Sequence, residues 1–208
     1  MVRPGFLYVS RQVISLEPRT ALRGVEWAGK SGRIGSVRYT LRWVALATAA
    51  LVTIGCDLAT KHAATALLAG EPDRSYLADT VRLGYAENPG GFLSLGADWP
   101  RGARIAVFTV ATGFALLALV VIVIRDGFAG PSTLGLVLFV AGGTSNWIDR
   151  VLQGSVVDFL NVGIGPLRTG IFNIADVAIM VGAGLVALGA LRKDQSREAQ
   201  GTPANGTP

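Results

Sequence analysis

Four stretches of this chain are apolar over enough length to cross a bilayer, and that limits the fold more than any other feature. A spanning helix needs about 20 consecutive apolar residues. The candidate spans are residues 43–68, 103–124, 132–148 and 172–191. Composition agrees: half of the 208 residues are hydrophobic and 16% are charged, against about 25% in a soluble domain. The length suits one domain. The expected fold class is an all-α integral membrane protein of four transmembrane helices with a small extracytoplasmic loop region.

Charge sets the expected orientation. Residues 1–42 carry Arg3, Arg11, Arg19, Arg23, Lys30, Arg33, Arg38 and Arg42 against Glu17 and Glu26. The turn after the second span holds Arg125, and the tail opens with Arg192 and Lys193. Basic flanks stay cytoplasmic. The acidic segment 70–101, with Glu71, Asp73, Asp79, Glu87 and Asp98, then lies outside, as does 149–171. Both termini are expected in the cytoplasm. The expected organisation is a basic, disordered arm over 1–42, a membrane domain over 43–191 and a disordered tail over 192–208. The arm lacks the apolar core of a signal peptide.

This topology gathers the polar residues of the apolar domain at its outer end. Asp158, in Ser155-Val156-Val157-Asp158, and Asp176, in Phe172-Asn173-Ile174-Ala175-Asp176, each adjoin a strongly apolar segment. An ionisable group there is costly and points to function. Two such acids form a candidate pair that shares one proton and activates a water. Taken alone, Asp176 also reads as a first-turn acid favoured by the helix dipole.

Three further clusters have two readings each. Asp57 and Lys61 are spaced i,i+4, so they read as a helix-end ion pair with Lys61 reaching the interface, or as a brace for the site. Asn88 precedes Pro89-Gly90-Gly91, and caps a turn or binds an extended substrate backbone with Gly90 permitting close approach. Asn146 and Arg150 share a helix face, with Asp149 beside them. The arginine pairs with a carboxylate or grips a carbonyl or lipid phosphate.

Other chemistries find little support in the residues. The net charge of +5 sits in the arm and is not interleaved with aromatics, so nucleic acid is not an expected partner. The lone Cys56 reads as a small buried thiol, and the lone His62 lacks companions for a metal site. No metal or cofactor is expected. A proton relay or ion-coupled carrier is a competing class, although the polar residues cluster at one end and no inverted repeat is evident. A catalytically silent binding protein is another.

In order, Asp57–Lys61, Asn88–Ser94, Asn146–Arg150, Val156–Phe159 and Phe172–Asp176 resemble the sequence blocks of the lipoprotein signal peptidase (signal peptidase II) family. The likeness extends over about residues 43–191. It implies a bacterial inner-membrane aspartyl protease with its active site toward the outer leaflet; a monomer is the expected state. Such an enzyme cleaves a diacylglyceryl-modified prolipoprotein just before the lipidated cysteine. By motif, Asp158 and Asp176 match the catalytic pair, and Asp57, Asn88, Asn146, Arg150 and Asn173 match its supporting residues. Lys61, Gly90 and Asp149 lie within the same blocks. Leu58, Leu93 and Ser145 depart from the family pattern.

Overall fold

The computed structural model describes residues 21–126 and 131–201. The chain divides into two compact units, Met1–Val44 and Ala45–Pro208. In the first, described from residue 21 onward, the backbone is helical. The predicted disordered arm is therefore helix over 21–42, while residues 1–20 lie outside the described part.

Five α-helices carry the described chain: α1 (Ala21–Leu68), α2 (Arg101–Arg104), α3 (Thr112–Asp126), α4 (Pro131–Gln153) and α5 (Ile174–Gly201). A π-helical segment, Ile105–Ala111, joins α2 to α3. By length and composition, three stretches are apolar enough to cross a membrane: Val37–Leu68, Arg101–Arg125 and Ile174–Lys193. Their large apolar side chains point outward, including Leu51, Phe114 and Met180. Several of the most buried side chains are polar, including Asp57, Ser145 and Asn173. This is the arrangement expected where the surrounding solvent is hydrocarbon. Helix α4 packs on both α3 and α5. It is 23 residues long, but it interrupts its apolar run with Thr144, Ser145, Asn146, Asp149 and Arg150. Helix α5 continues through Gly201, so the predicted disordered tail begins as helix.

The all-α expectation is corrected by a four-stranded antiparallel sheet, ordered β1-β2-β3-β4. Its strands are Arg74–Tyr76, Val81–Asn88, Val156–Ile164 and Leu167–Arg168. The physical reason is local. The segments around β2 and β3 are too short to span a bilayer but rich in Val, Leu and aromatic residues that suit a pleated, half-buried surface. In the β2–β3 ladder Leu83 pairs with Leu160 and Ala86 with Asp158, so β2 carries one extra residue between these pairs. Such a bulge bends a strand and redirects its side chains. Beneath the sheet, Ala64, Leu68 and Phe159 form an apolar cluster flanked by Leu83, Tyr85, Leu160 and Ile174.

Helices α4 and α5 meet through glycine. A Cβ at Gly135 would lie 2.7 Å from the Gly182 carbonyl oxygen, and one at Gly182 would lie 2.6 Å from the Phe139 nitrogen. Small residues let two backbones approach this closely. That approach brings the end of α4 against the start of α5.

Candidate active site

The start of α5 organises the site. Asn173 is the residue before the helix, and its Oδ1 accepts the Asp176 N–H at 3.0 Å. Asp176 Oδ2 in return accepts the Asn173 N–H at 3.2 Å. This reciprocal cap satisfies two otherwise unpartnered donors. A third, the Ala175 N–H, donates to Asp57 Oδ1 at 2.7 Å, reaching across from α1.

Asn173 also joins the two acids. Its Nδ2 donates to Asp158 Oδ1 at 2.7 Å, while its backbone holds Asp176. Asn88 Nδ2 donates to the other Asp158 oxygen at 3.2 Å. Asn146 Nδ2 donates to Asp176 Oδ1 at 2.8 Å. Each carboxylate thus receives side-chain amide donors from neighbouring elements, and Asn173 is common to both. Asp158 lies on β3, outside the helical spans, and is 4% exposed. Burial, and then the Asp176 charge, push its pKa up to about 6, against the opposing effect of the Asn88 and Asn173 hydrogen bonds.

Lys61 is a buried hub. Its Nζ lies 2.7 Å from Asp57 Oδ2 and 2.8 Å from Asp149 Oδ2, and donates to Asn146 Oδ1 at 2.7 Å. At 3% exposure it is enclosed by the protein. Asp149 is therefore a partner of Lys61. Ammonium and carboxylates compensate one another's burial, and together they hold Asn146 toward Asp176.

Asn88 caps the turn that follows it and also holds Asp158. Its Oδ1 accepts the Gly90 N–H at 3.0 Å, and its Nδ2 donates to the Gly91 carbonyl at 3.0 Å as well as to Asp158. The Gly90 carbonyl accepts Arg150 Nη2 at 2.6 Å, which ties this loop to the end of α4. A Cβ at Gly90 would stand 2.9 Å from the Ala97 nitrogen, so the tight loop requires glycine there.

All ten sequence-predicted site residues thus belong to one connected polar region. Sequence reasoning missed the contribution of Ser145, whose Oγ donates to Asp57 Oδ2 at 2.8 Å. Its position next to Asn146 was the available signal. It also missed Trp147, whose Nε1 donates to the Thr109 carbonyl at 2.8 Å in the π-helical segment. Cys56 is exposed, which corrects its reading as a buried thiol. Among the described residues no group of three or more His, Cys, Asp or Glu side chains could hold a metal ion.

Known proteins resemble this chain in sequence and in fold. A family model described as signal peptidase (SPase) II matches residues 49–192. The lipoprotein signal peptidase of Burkholderia vietnamiensis (strain G4 / LMG 22486) is 39% identical over 103 residues, covering 50% of this chain and 60% of that protein. That of Polynucleobacter necessarius subsp. necessarius (strain STIR1) is 35% identical over 116 residues, covering 54% and 69%. The chain thus spans about 60% of the length of the Burkholderia relatives it matches. A solved bacterial membrane enzyme, determined in meso at 2.3 Å, is similar with a TM-score of 0.62 and 25% identity, covering 78% of this chain and 94% of its own. A second, determined at 1.9 Å, has a TM-score of 0.63 and 26% identity, covering 71% and 92%.

Proposed function

The chain belongs to the signal peptidase II family, and on that footing we propose that it is an aspartyl endopeptidase of the bacterial inner membrane. Its substrate is a diacylglyceryl-modified prolipoprotein, cut just before the lipidated cysteine. In this reading α4 is a fourth span, both termini are cytoplasmic and the site faces the outer leaflet. The enzyme acts as a monomer without metal or cofactor.

The observation that carries the proposal is the joining of Asp158 and Asp176 through Asn173. Two nearby carboxylates resist ionising together, so one keeps a proton. The ionised acid takes a proton from water as that water attacks the scissile carbonyl. The protonated acid donates a hydrogen bond to the carbonyl oxygen, and a proton passes to the leaving amine. No covalent enzyme intermediate forms. Asn88, Asn146 and Asn173 hold the acids, and Lys61 with Asp57 and Asp149 holds the asparagine scaffold. Arg150 and Gly90 shape the loop along which the peptide runs. Membrane depth suits the substrate, because its lipid anchor keeps the cleavage site near the membrane boundary.

The test is cleavage of a synthetic diacylglyceryl prolipopeptide by the purified full chain in lipid, with the products identified by mass spectrometry. The proposal expects one cut, immediately before the modified cysteine, and no cut in the unlipidated peptide. Intact lipopeptide after incubation with folded protein would overturn it.

A further inference from the structure

A second site lies between the end of α4 and the segment formed by α2 and the π-helical turns. A cavity of about 540 Å³ is lined there by Arg101, Arg104 and Arg150, with Glu87 as its one acidic residue. The Glu87 carboxylate is already engaged, accepting Tyr85 Oη at 3.0 Å and Ser155 Oγ at 3.2 Å. The Nε atoms of Arg104 and Arg150 are buried and have no hydrogen-bond partner. Buried donors of this kind are costly unless an acceptor meets them. A tetrahedral oxyanion supplies several acceptors, and guanidinium groups suit it.

A second cavity, of about 530 Å³, adjoins along the helices and is lined mainly by apolar groups, including Phe114, Leu117 and Val120. The two cavities share Thr109. The π-helical segment forms this junction, and its Thr109 carbonyl is occupied by Trp147. One molecule lying across Thr109 would therefore meet cationic groups at one end and an apolar wall at the other.

We propose that this paired cavity binds an anionic glycerophospholipid, with its phosphate among Arg101, Arg104 and Arg150 and an acyl chain against Phe114 and Leu117. Charge complementarity selects this occupant over a neutral diacylglyceryl group, which has no phosphate. The site borders the polar region described above and shares Arg150 with it, but neither Asp158 nor Asp176 lines either cavity. The assignment does not depend on the protease reading.

The experiment reconstitutes the full chain in nanodiscs of phosphatidylcholine doped with phosphatidylglycerol or with diacylglycerol. Retained lipid is counted by native mass spectrometry, and inorganic phosphate serves as competitor. Phosphatidylglycerol should be retained preferentially. Arg101→Gln and Arg104→Gln should each weaken retention about fivefold, the effect of about 1 kcal/mol per cation near a membrane surface. Leu117→Trp should fill the groove and lower lipid retention. Asp158→Asn should retain the lipid whether or not it cleaves anything. Equal retention of phosphatidylglycerol and diacylglycerol would overturn the proposal, as would unchanged retention in folded Arg101→Gln and Arg104→Gln. Displacement by inorganic phosphate as effective as by the lipid would leave an anion site alone and overturn the phospholipid assignment.

Discussion

Replacing Asp158 with asparagine should make the protein more stable at neutral pH. The substitution keeps a carbonyl acceptor for Asn88 or Asn173 but removes the charge. The carboxyl is 4% exposed and is held at about 6, against 3.8 for the unperturbed group. A raised acid pKa means that the folded protein binds this proton more tightly than the unfolded chain. Its contribution is fully present below 3.8 and is lost as pH rises through about 6. At about 1.4 kcal/mol per pH decade, the ionised group costs on the order of 3 kcal/mol by pH 7. Wild type should therefore lose stability, relative to Asp158→Asn, across that window. The assay is reversible unfolding in mixed micelles, followed by tryptophan fluorescence at a series of pH values from 4 to 8. Asp176→Asn should shrink the slope in an otherwise wild-type chain, because the Asp176 charge is the second cause of the shift. A stability difference between wild type and Asp158→Asn that does not change with pH would refute this reasoning. So would a variant whose relative stability falls as pH rises.

Lys61→Met should destabilise the fold by about 3–5 kcal/mol, because it strands two buried carboxylates, Asp57 and Asp149; unfolding in the same micelles measures it, and a loss below about 1 kcal/mol would show that the ion pairs are not maintained. Ser145→Ala should cost about 1–2 kcal/mol through the lost donor to Asp57, seen as a lower midpoint of unfolding; an unchanged midpoint would count against that bond. Gly182→Ala presses a methyl toward the α4 backbone at Phe139, so it should destabilise by about 1–3 kcal/mol, with wild-type stability as the contrary result.

The sequence exposes the long-range plan of the chain where cost is high and pattern is simple. Apolar runs locate three of the described membrane-length helices, and the acids Asp158 and Asp176 stand out because carboxylates rarely lie beside such runs. The sheet was illegible for the opposite reason. Strands β2 and β3 pair residues that lie far apart in sequence, from Asn88 with Val156 to Val81 with Val162, so nothing local announces the register. The hub role of Lys61 was half visible: spacing predicts its pairing with Asp57, but only the fold brings Asp149 and Asn146 to the same ammonium. Ser145 looked like a departure from a family pattern, whereas in the folded chain its hydroxyl fixes the carboxylate that holds the start of α5. The double role of Asn173, cap and link, follows from its position before α5 together with the arrival of β3, and the second half of that is tertiary.

The most direct test of the central claim compares wild type, Asp158→Asn and Asp176→Asn on a purified diacylglyceryl prolipoprotein, with cleavage read by gel shift and folding checked by the unfolding assay. The paired-acid account predicts cleavage by wild type and a near-complete loss in both folded variants. Substantial turnover by either folded variant would contradict it.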